Sequence, residues 1–137
     1  MNRILTLLSI AALITLTACD PDIKAAKQLE GDWKIKSYTE DGVEIMTVLL
    51  NSFTMEFEEY QETEGDFTWT LIGTDGSTLA FDGEYEIKDE GTEIDLSFKS
   101  GSLNGETWTL DMSLEGDDVE MSGNVDGILV KLVAERD

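Results

Sequence analysis

The feature of this chain that most restricts its fold is a strict alternation of apolar and polar residues, repeated from residue 29 onward. Phe53, Met55 and Phe57, for example, alternate with Thr54 and Glu56. Successive side chains of a β-strand point to opposite faces, so the pattern indicates strands with one buried and one exposed face. It predicts eight strands, near residues 30–39, 52–60, 66–73, 79–88, 92–99, 106–115, 117–125 and 127–136.

The links between these strands are short and rich in glycine and aspartate, which tolerate the positive φ of tight hairpins. Strands joined in this way form an antiparallel up-and-down meander. Eight such strands bury their apolar face and lose their open edges by closing into an all-β barrel. Two stacked sheets are the alternative that alternation leaves open. The turn sequences are Glu64-Gly65-Asp66, Thr74-Asp75-Gly76-Ser77, Asp89-Glu90-Gly91, Glu115-Gly116-Asp117 and Asp126-Gly127.

Residues 43–50 interrupt the pattern. They include Ile45, Met46, Val48 and Leu49, which fit neither strict alternation nor a helical stripe. The segment can be a short strand, a helical lid over the mouth of the barrel, or an apolar loop. A lid would contact a ligand, whereas a plug would only complete one end of the core.

The N-terminus has the organisation of a secretory signal peptide. Arg3 precedes an uncharged, largely apolar run over residues 4–18, which ends in a small residue. This run is shorter than the roughly 20 residues that a membrane-spanning helix needs. A cleaved signal is therefore the better interpretation than a permanent membrane helix.

The end of that run, Leu16-Thr17-Ala18-Cys19, resembles the lipobox of bacterial lipoproteins. The resemblance implies cleavage before Cys19 and a lipid on its sulfur, which would anchor the protein to a membrane. An ordinary signal peptide with a nearby thiol is the alternative. We expect residues 1–18 to be the signal peptide, 19–28 a lipidated tether and 29–137 the barrel domain. The expected location is the cell envelope, at the outer membrane or cell surface rather than the inner membrane.

The charge of the chain limits its partners. It contains 30 acidic and 9 basic residues and no histidine, which gives a net charge of −21. Such a charge favours a monomer and argues against nucleic acid and anionic lipid headgroups as partners. Cations, basic peptides and neutral apolar molecules remain as partners, and a merely solvated acidic surface is the simplest explanation.

The start of the first strand, Gly31-Asp32-Trp33, resembles the Gly-x-Trp signature that opens the lipocalin barrel. Residues 31–42 are similar to the lipocalin-like lipoproteins of Bacteroidota. In that family a basic residue on the last strand packs across the tryptophan at the closed end. The resemblance implies that role for Arg136, with a cation–π contribution of about 0.5–2 kcal/mol. A C-terminus that frays is the alternative.

The residues offer little catalytic chemistry, and we expect no enzyme activity and no cofactor. Without histidine the commonest general base and metal ligand are missing, and the only cysteine is assigned to the lipid. We predict no metal site, although calcium at Asp75, Asp117 or Asp118 is conceivable without the EF-hand spacing. Paired carboxylates leave a glycoside hydrolase as the weakest alternative.

The leading functional hypothesis is therefore a membrane-anchored binding lipoprotein that takes a small apolar ligand into the open end of its barrel. The residues predicted to contact the ligand are Met46, Leu49, Trp69 and Trp108. The many aromatic residues of inward parity leave room for a small pocket or for none. A filled barrel that acts as a protein-interaction module of the cell envelope is the competing hypothesis.

Overall fold

The computed structural model describes residues 20–137, and eight long strands within them form one closed antiparallel barrel. The helices are α1 (Pro21–Leu29) and α2 (Met46–Leu49), and single 3-10 turns span Asp89–Gly91 and Gly101–Leu103. The strands are β1 (Gly31–Glu40), β2 (Val43–Glu44), β3 (Leu50–Phe57), β4 (Gly65–Gly73), β5 (Thr78–Lys88), β6 (Glu93–Phe98), β7 (Thr107–Glu115), β8 (Asp118–Val125) and β9 (Ile128–Arg136). The two-residue strand β2 folds back on the end of β1 and is additional to the barrel.

The pairing of the strands confirms the predicted barrel and rules out two stacked sheets. Neighbours pair in chain order from β3 to β9, and β1 pairs with both β3 and β9. The sheet therefore has no open edge along its eight long strands. The register of β1 against β9 shifts between Ile35 and Ser37, an irregularity of the kind that bends a strand.

Aromatic side chains fill the barrel over most of its length. Most of the inward residues predicted from alternation are buried, and Trp33, Tyr85 and Phe53 have less than 2% of their surface exposed. Leu79 and Ile128 share the inward parity but lie near the open end and are 58% and 40% exposed. Their rings meet at edge-to-face or tilted angles, as for Phe57 and Tyr85, whose centroids are 5.0 Å apart. Such contacts add to the free energy gained from burial alone.

Two glycines are required by close approach of other groups and not by a turn. A Cβ on Gly83, in the middle of β5, would lie 2.2 Å from the Ser97 carbonyl oxygen and 2.7 Å from the Phe67 ring. A Cβ on Gly65 would lie 2.6 Å from the ring of Tyr85. Gly65, which the sequence places in a turn, is thus the first residue of β4 and lies beneath an aromatic ring.

Helix α1 covers one end of the barrel. Ala25, Ala26 and Leu29 are buried against the strands, and the Asp20 carboxylate caps the helix by accepting a hydrogen bond from the backbone N–H of Asp22 at 2.9 Å. The segment expected to be a tether is thus a packed helix, and the folded domain begins about eight residues earlier than predicted.

The two ends of the barrel differ. The closed end carries α1 and the connections β3–β4, β5–β6 and β7–β8, and both chain ends of the barrel lie there. The open end carries residues 41–49 and the connections β4–β5, β6–β7 and β8–β9. Residues 43–50 form a short strand followed by a one-turn helix, so they are not the apolar loop that was one of the three predicted possibilities.

The predicted signal peptide and Cys19 lie outside the described residues. Within residues 20–137, no helix is both long enough and apolar enough to span a bilayer.

Candidate ligand-binding site

A cavity of about 280 Å³ opens at the open end of the barrel, and we call it the open-end cavity. Residues near the ends of β1, β5, β7, β8 and β9 form it, together with the connection between β6 and β7. Its lining residues are Tyr38, Glu40, Phe81, Ser102, Leu103, Glu106, Trp108, Val125, Asp126, Ile128 and Val130. The apolar members continue the barrel core, so the cavity is the unfilled top of that core.

Trp108 connects the cavity to the aromatic core beneath it. It is the second residue of β7, and only 7% of its surface is exposed. Its ring centroid is 5.2 Å from that of Phe98 and 5.5 Å from that of Trp69, with interplanar angles of 64° and 74°. These contacts hold the indole in a fixed position at the base of the cavity.

The indole N–H groups of Trp69 and Trp108 are buried and, within the part of the chain described, have no hydrogen-bond partner. Trp33 differs, because its indole N–H donates to the Leu29 carbonyl at 2.7 Å. A buried donor without a partner destabilises a fold by about 1–3 kcal/mol. The edge-to-face contacts reduce this cost, since an N–H can face a neighbouring π cloud. Of the two tryptophans, only Trp108 also lines the open-end cavity.

Three carboxylates, from Glu40, Glu106 and Asp126, stand around the cavity. The hydroxyl of Tyr38 donates to Glu40 at 2.9 Å. Burial raises the pKa of the Tyr38 phenol well above its usual range, and the hydrogen bond to Glu40 raises that pKa further. Tyr38 therefore stays a neutral donor, which fixes one carboxylate of the rim.

Glu44 holds the segment beside the mouth in place. Its carboxylate accepts hydrogen bonds from the Ser37 hydroxyl at 2.6 Å and from the backbone N–H groups of Tyr38 and Met46, at 3.1 and 3.3 Å. The bond from Ser37 is the main reason that the pKa of Glu44 is lowered. Beyond Met46, the α2 side chains Val48 and Leu49 are 67% and 57% exposed.

Two other concave surfaces are weaker candidates. A groove of about 400 Å³ runs between α1 and the β5–β6 and β7 regions, and polar residues such as Lys24, Gln28 and Glu90 line it outside the barrel. A depression of about 300 Å³ lies between α2 and the β4–β5 hairpin, where Leu49 and Leu79 are exposed. Neither is floored by a buried aromatic residue of the barrel interior.

The four residues predicted to contact a ligand lie in different surroundings, and only one of them lines the open-end cavity. Trp108 lines the open-end cavity. Trp69 does not, because it lies in the middle of β4 beneath Trp108 and is 3% exposed. Met46 is half-buried and packs against the core, and Leu49 lines the depression beside the hairpin.

Alternation alone did not identify the remaining lining residues, among them Tyr38, Phe81, Leu103 and Val130. Phe81, Val125 and Val130 have inward parity, and all three lie near strand ends. A meander also places alternate connections at the same end of the barrel. Inward parity, combined with a position close to a turn at the open end, is the sequence signal that could have identified them.

At the closed end, Arg136 and Trp33 face each other across the β1–β9 pair. The guanidinium carbon lies 4.5 Å from the Trp33 ring centroid. Arg136 also donates to the carbonyl of Glu30 at 2.9 Å and to that of Gln28, and its Nε lies 3.5 Å from a carboxylate oxygen of Asp117. This residue thus joins the last strand to the first strand and to the end of α1.

Within residues 20–137, no group of three or more Cys, Asp or Glu side chains is arranged to hold a metal ion.

No protein-family model matches the chain, and no curated protein matches its sequence. Solved structures resemble it in fold. A redesigned beta barrel aligns with a TM-score of 0.62 and 19% identity, over 82% of this chain and 95% of that one. A lipocalin-like protein from Bacteroides uniformis aligns with a TM-score of 0.56 and 18% identity, over 80% of this chain and 99% of that one. The fold is lipocalin-like.

A further redesigned beta barrel, whose structure was solved with DFHBI bound, also resembles this lipocalin-like barrel. It aligns with a TM-score of 0.57 and 16% identity, over 82% of this chain and 98% of that one. The TM-scores show the shared architecture, and at identities below 20% the likeness extends to the fold alone.

Proposed function

We propose that this protein is a non-catalytic binding protein of the bacterial cell envelope, which takes a small, largely apolar ligand into the open-end cavity. The observation that carries the proposal is Trp108, a buried aromatic residue that lines an apolar cavity with its N–H unpaired. An apolar cavity with a few polar groups is the usual form of a small-molecule site. Lipocalin-like architecture supports the proposal, since barrels of eight strands can hold one small ligand.

The size of the cavity restricts the ligand. Its volume of about 280 Å³ is just below the roughly 300–1,000 Å³ typical of ligand pockets. At ~30 Å³ for each water-sized group, the cavity holds roughly nine such groups. A molecule with a single ring and a short chain matches this volume, whereas a long-chain fatty acid exceeds it.

The proposal includes the membrane anchor. Lipidation of Cys19, supported by the lipobox resemblance, attaches the domain to the envelope, at the outer membrane or the cell surface. Only Asp20 separates Cys19 from α1. The domain is therefore held close to the bilayer by its closed end.

NMR titration of the mature domain, residues 20–137, tests the binding proposal. All barrel strands, α1 and the core lie within these residues. Phenylpropanol is a neutral probe of suitable size, and the expected result is a saturable shift of the Trp108 indole N–H signal. The Trp33 indole, bonded to Leu29 at the closed end, serves as an internal reference and should not move.

A matched pair of variants locates the binding. Leu103→Trp places a large side chain into the open-end cavity and should abolish the shift. Leu79→Trp adds the same side chain to the depression outside the cavity and should leave binding unchanged. The proposal is wrong if the folded wild-type domain shows no saturable shift, or if Leu103→Trp binds as well as Leu79→Trp.

The second candidate is a protein-interaction module, favoured by the exposed apolar side chains at the open end. These are Val43, Val48, Leu49, Ile72, Leu79, Ile128 and Leu129. Exposed apolar patches often mark interaction surfaces. A photo-crosslinking residue at Leu49 should then give one defined adduct in the intact envelope, and the same residue at Thr68 on the barrel wall should give none.

A further inference from the structure

We infer that the ligand of the open-end cavity carries a positive charge, as a molecule with an apolar body and an ammonium group does. This inference rests on the proposed function and specifies its ligand class. It starts from the charges around the mouth. Glu40, Glu106 and Asp126 line the cavity, and among the described residues no lysine or arginine does. An apolar molecule that enters the mouth must therefore pass three carboxylates with no neighbouring cation.

Basic side chains on β1, on β9 and before the β6–β7 connection do not neutralise this rim. Lys131, on β9, pairs with Glu120 at 3.1 Å on the outside of the barrel. Lys36, on β1, pairs with Glu135 at 2.9 Å and is likewise external. Lys99 precedes the connection between β6 and β7, but it is exposed and follows the inward-facing Phe98. The mouth therefore keeps its negative potential, and the net charge of −21 reinforces it.

The walls provide a second reason to expect a cation. Tyr38, Phe81 and Trp108 all line the cavity, and aromatic faces attract ammonium groups through the negative face of the ring. Trp108 is 7% exposed with an unpaired indole N–H, so the acidic rim surrounds a cavity that is otherwise built for a ligand.

The same charges disfavour an anionic ligand. A fatty acid that enters tail first would leave its carboxylate beside Glu40, Glu106 and Asp126. Charges of like sign repel, and the repulsion is stronger near the low-dielectric walls of a cavity than in bulk water. The cavity is therefore selective by charge as well as by size.

Three probes with one carbon skeleton separate charge from shape. Phenylpropylamine is a cation, phenylpropanol is neutral and phenylpropionate is an anion at pH 7. We expect the amine to shift the Trp108 indole signal with a dissociation constant roughly tenfold below that of the alcohol, and the acid to bind most weakly. Added salt should reduce the preference for the amine, because the rim is exposed to solvent.

Variants of the rim test whether these carboxylates cause the preference. Glu106→Gln and Asp126→Asn each remove one charge and should weaken binding of the amine severalfold more than they weaken binding of the alcohol. Asn tolerates the positive φ of 52° at residue 126, so the β8–β9 turn is preserved. Glu115→Gln, at the closed end, is the matched control and should change neither affinity.

The outcomes distinguish the two proposals. Equal binding of all three probes, or an amine preference of undiminished size in Glu106→Gln and Asp126→Asn, overturns the cation inference but not the binding function. Failure of all three probes to shift Trp108 in a folded domain overturns both. An amine that shifts signals over the whole acidic surface, without saturation at Trp108, also overturns the cation inference.

Discussion

Substitution of Arg136 by methionine removes a guanidinium that contacts three parts of the closed end. Its side chain is 33% exposed, so its contacts are partly desolvated. Two hydrogen bonds to the carbonyls of Glu30 and Gln28 contribute about 1 kcal/mol each, and the cation–π contact with Trp33 contributes about 1 kcal/mol more. The more exposed pair with Asp117 adds little. Because methionine keeps much of the apolar packing, we expect a loss of about 2–3 kcal/mol in the free energy of unfolding.

Urea denaturation of the mature domain measures this loss, with tryptophan fluorescence as the signal. Arg136→Lys retains the charge but not the planar pair of donors, so it should lose about 1–2 kcal/mol. Lys131→Met is the control on the same strand. It breaks an ion pair whose members are 49% and 50% exposed and should cost less than about 1 kcal/mol. If Arg136→Met and Lys131→Met destabilise the domain equally, Arg136 does not fasten the closed end as argued.

Three further results are expected. Gly83→Ala should destabilise the barrel by about 2 kcal/mol or more in the same urea assay, because its Cβ would meet the Phe67 ring at 2.7 Å and has no space to move into; an unchanged midpoint would contradict this packing. Cys19→Ala should abolish lipidation, so that mass spectrometry finds no acyl mass and the protein leaves the membrane fraction; continued membrane association would refute the anchor. The pKa of Glu44 is lowered in the folded state from 4.5, so the stability that this carboxylate confers is present above pH 4.5 and is lost as the pH falls through its folded pKa. The protection factors of the amides of residues 43–50, in which the intrinsic pH dependence of exchange is divided out, should therefore fall on acidification in the wild type and vary less with pH in Glu44→Gln. Equal pH dependence of the protection factors in the two proteins would contradict this.

The barrel itself could be predicted from the sequence because the period of two determines both the strands and their inward faces. Phe53 and Phe57 are buried where alternation places them, and Asp126-Gly127 forms the predicted hairpin with positive φ at both residues. Closure followed from the need to bury one apolar face with no open edge. The alternation and the hairpin turns depend on residues close together in the sequence, and both recur along the chain.

The position of a residue along the barrel axis is not a local property. Trp69 and Trp108 have the same inward parity, yet only the latter is near the mouth. Helix α1 shows the same limit. Its nine residues include two adjacent alanines but no long apolar stripe, so their pattern does not distinguish a docked helix from a tether. Its docking depends on tertiary contacts, such as the backbone N–H of Gly91 donating to Asp22 at 2.9 Å.

The position of α1 also has a consequence for how the protein meets its ligand. With the proposed lipid on Cys19, the helix lies between the bilayer and the closed end of the barrel. The mouth of the barrel is then directed away from the bilayer. Strand β9 has nine residues, which at ~3.3 Å each and a tilt of about 40° gives a standoff of roughly 20–25 Å. A ligand then reaches the site through the aqueous phase and not by sliding out of the lipid, which suits a charged, water-soluble molecule.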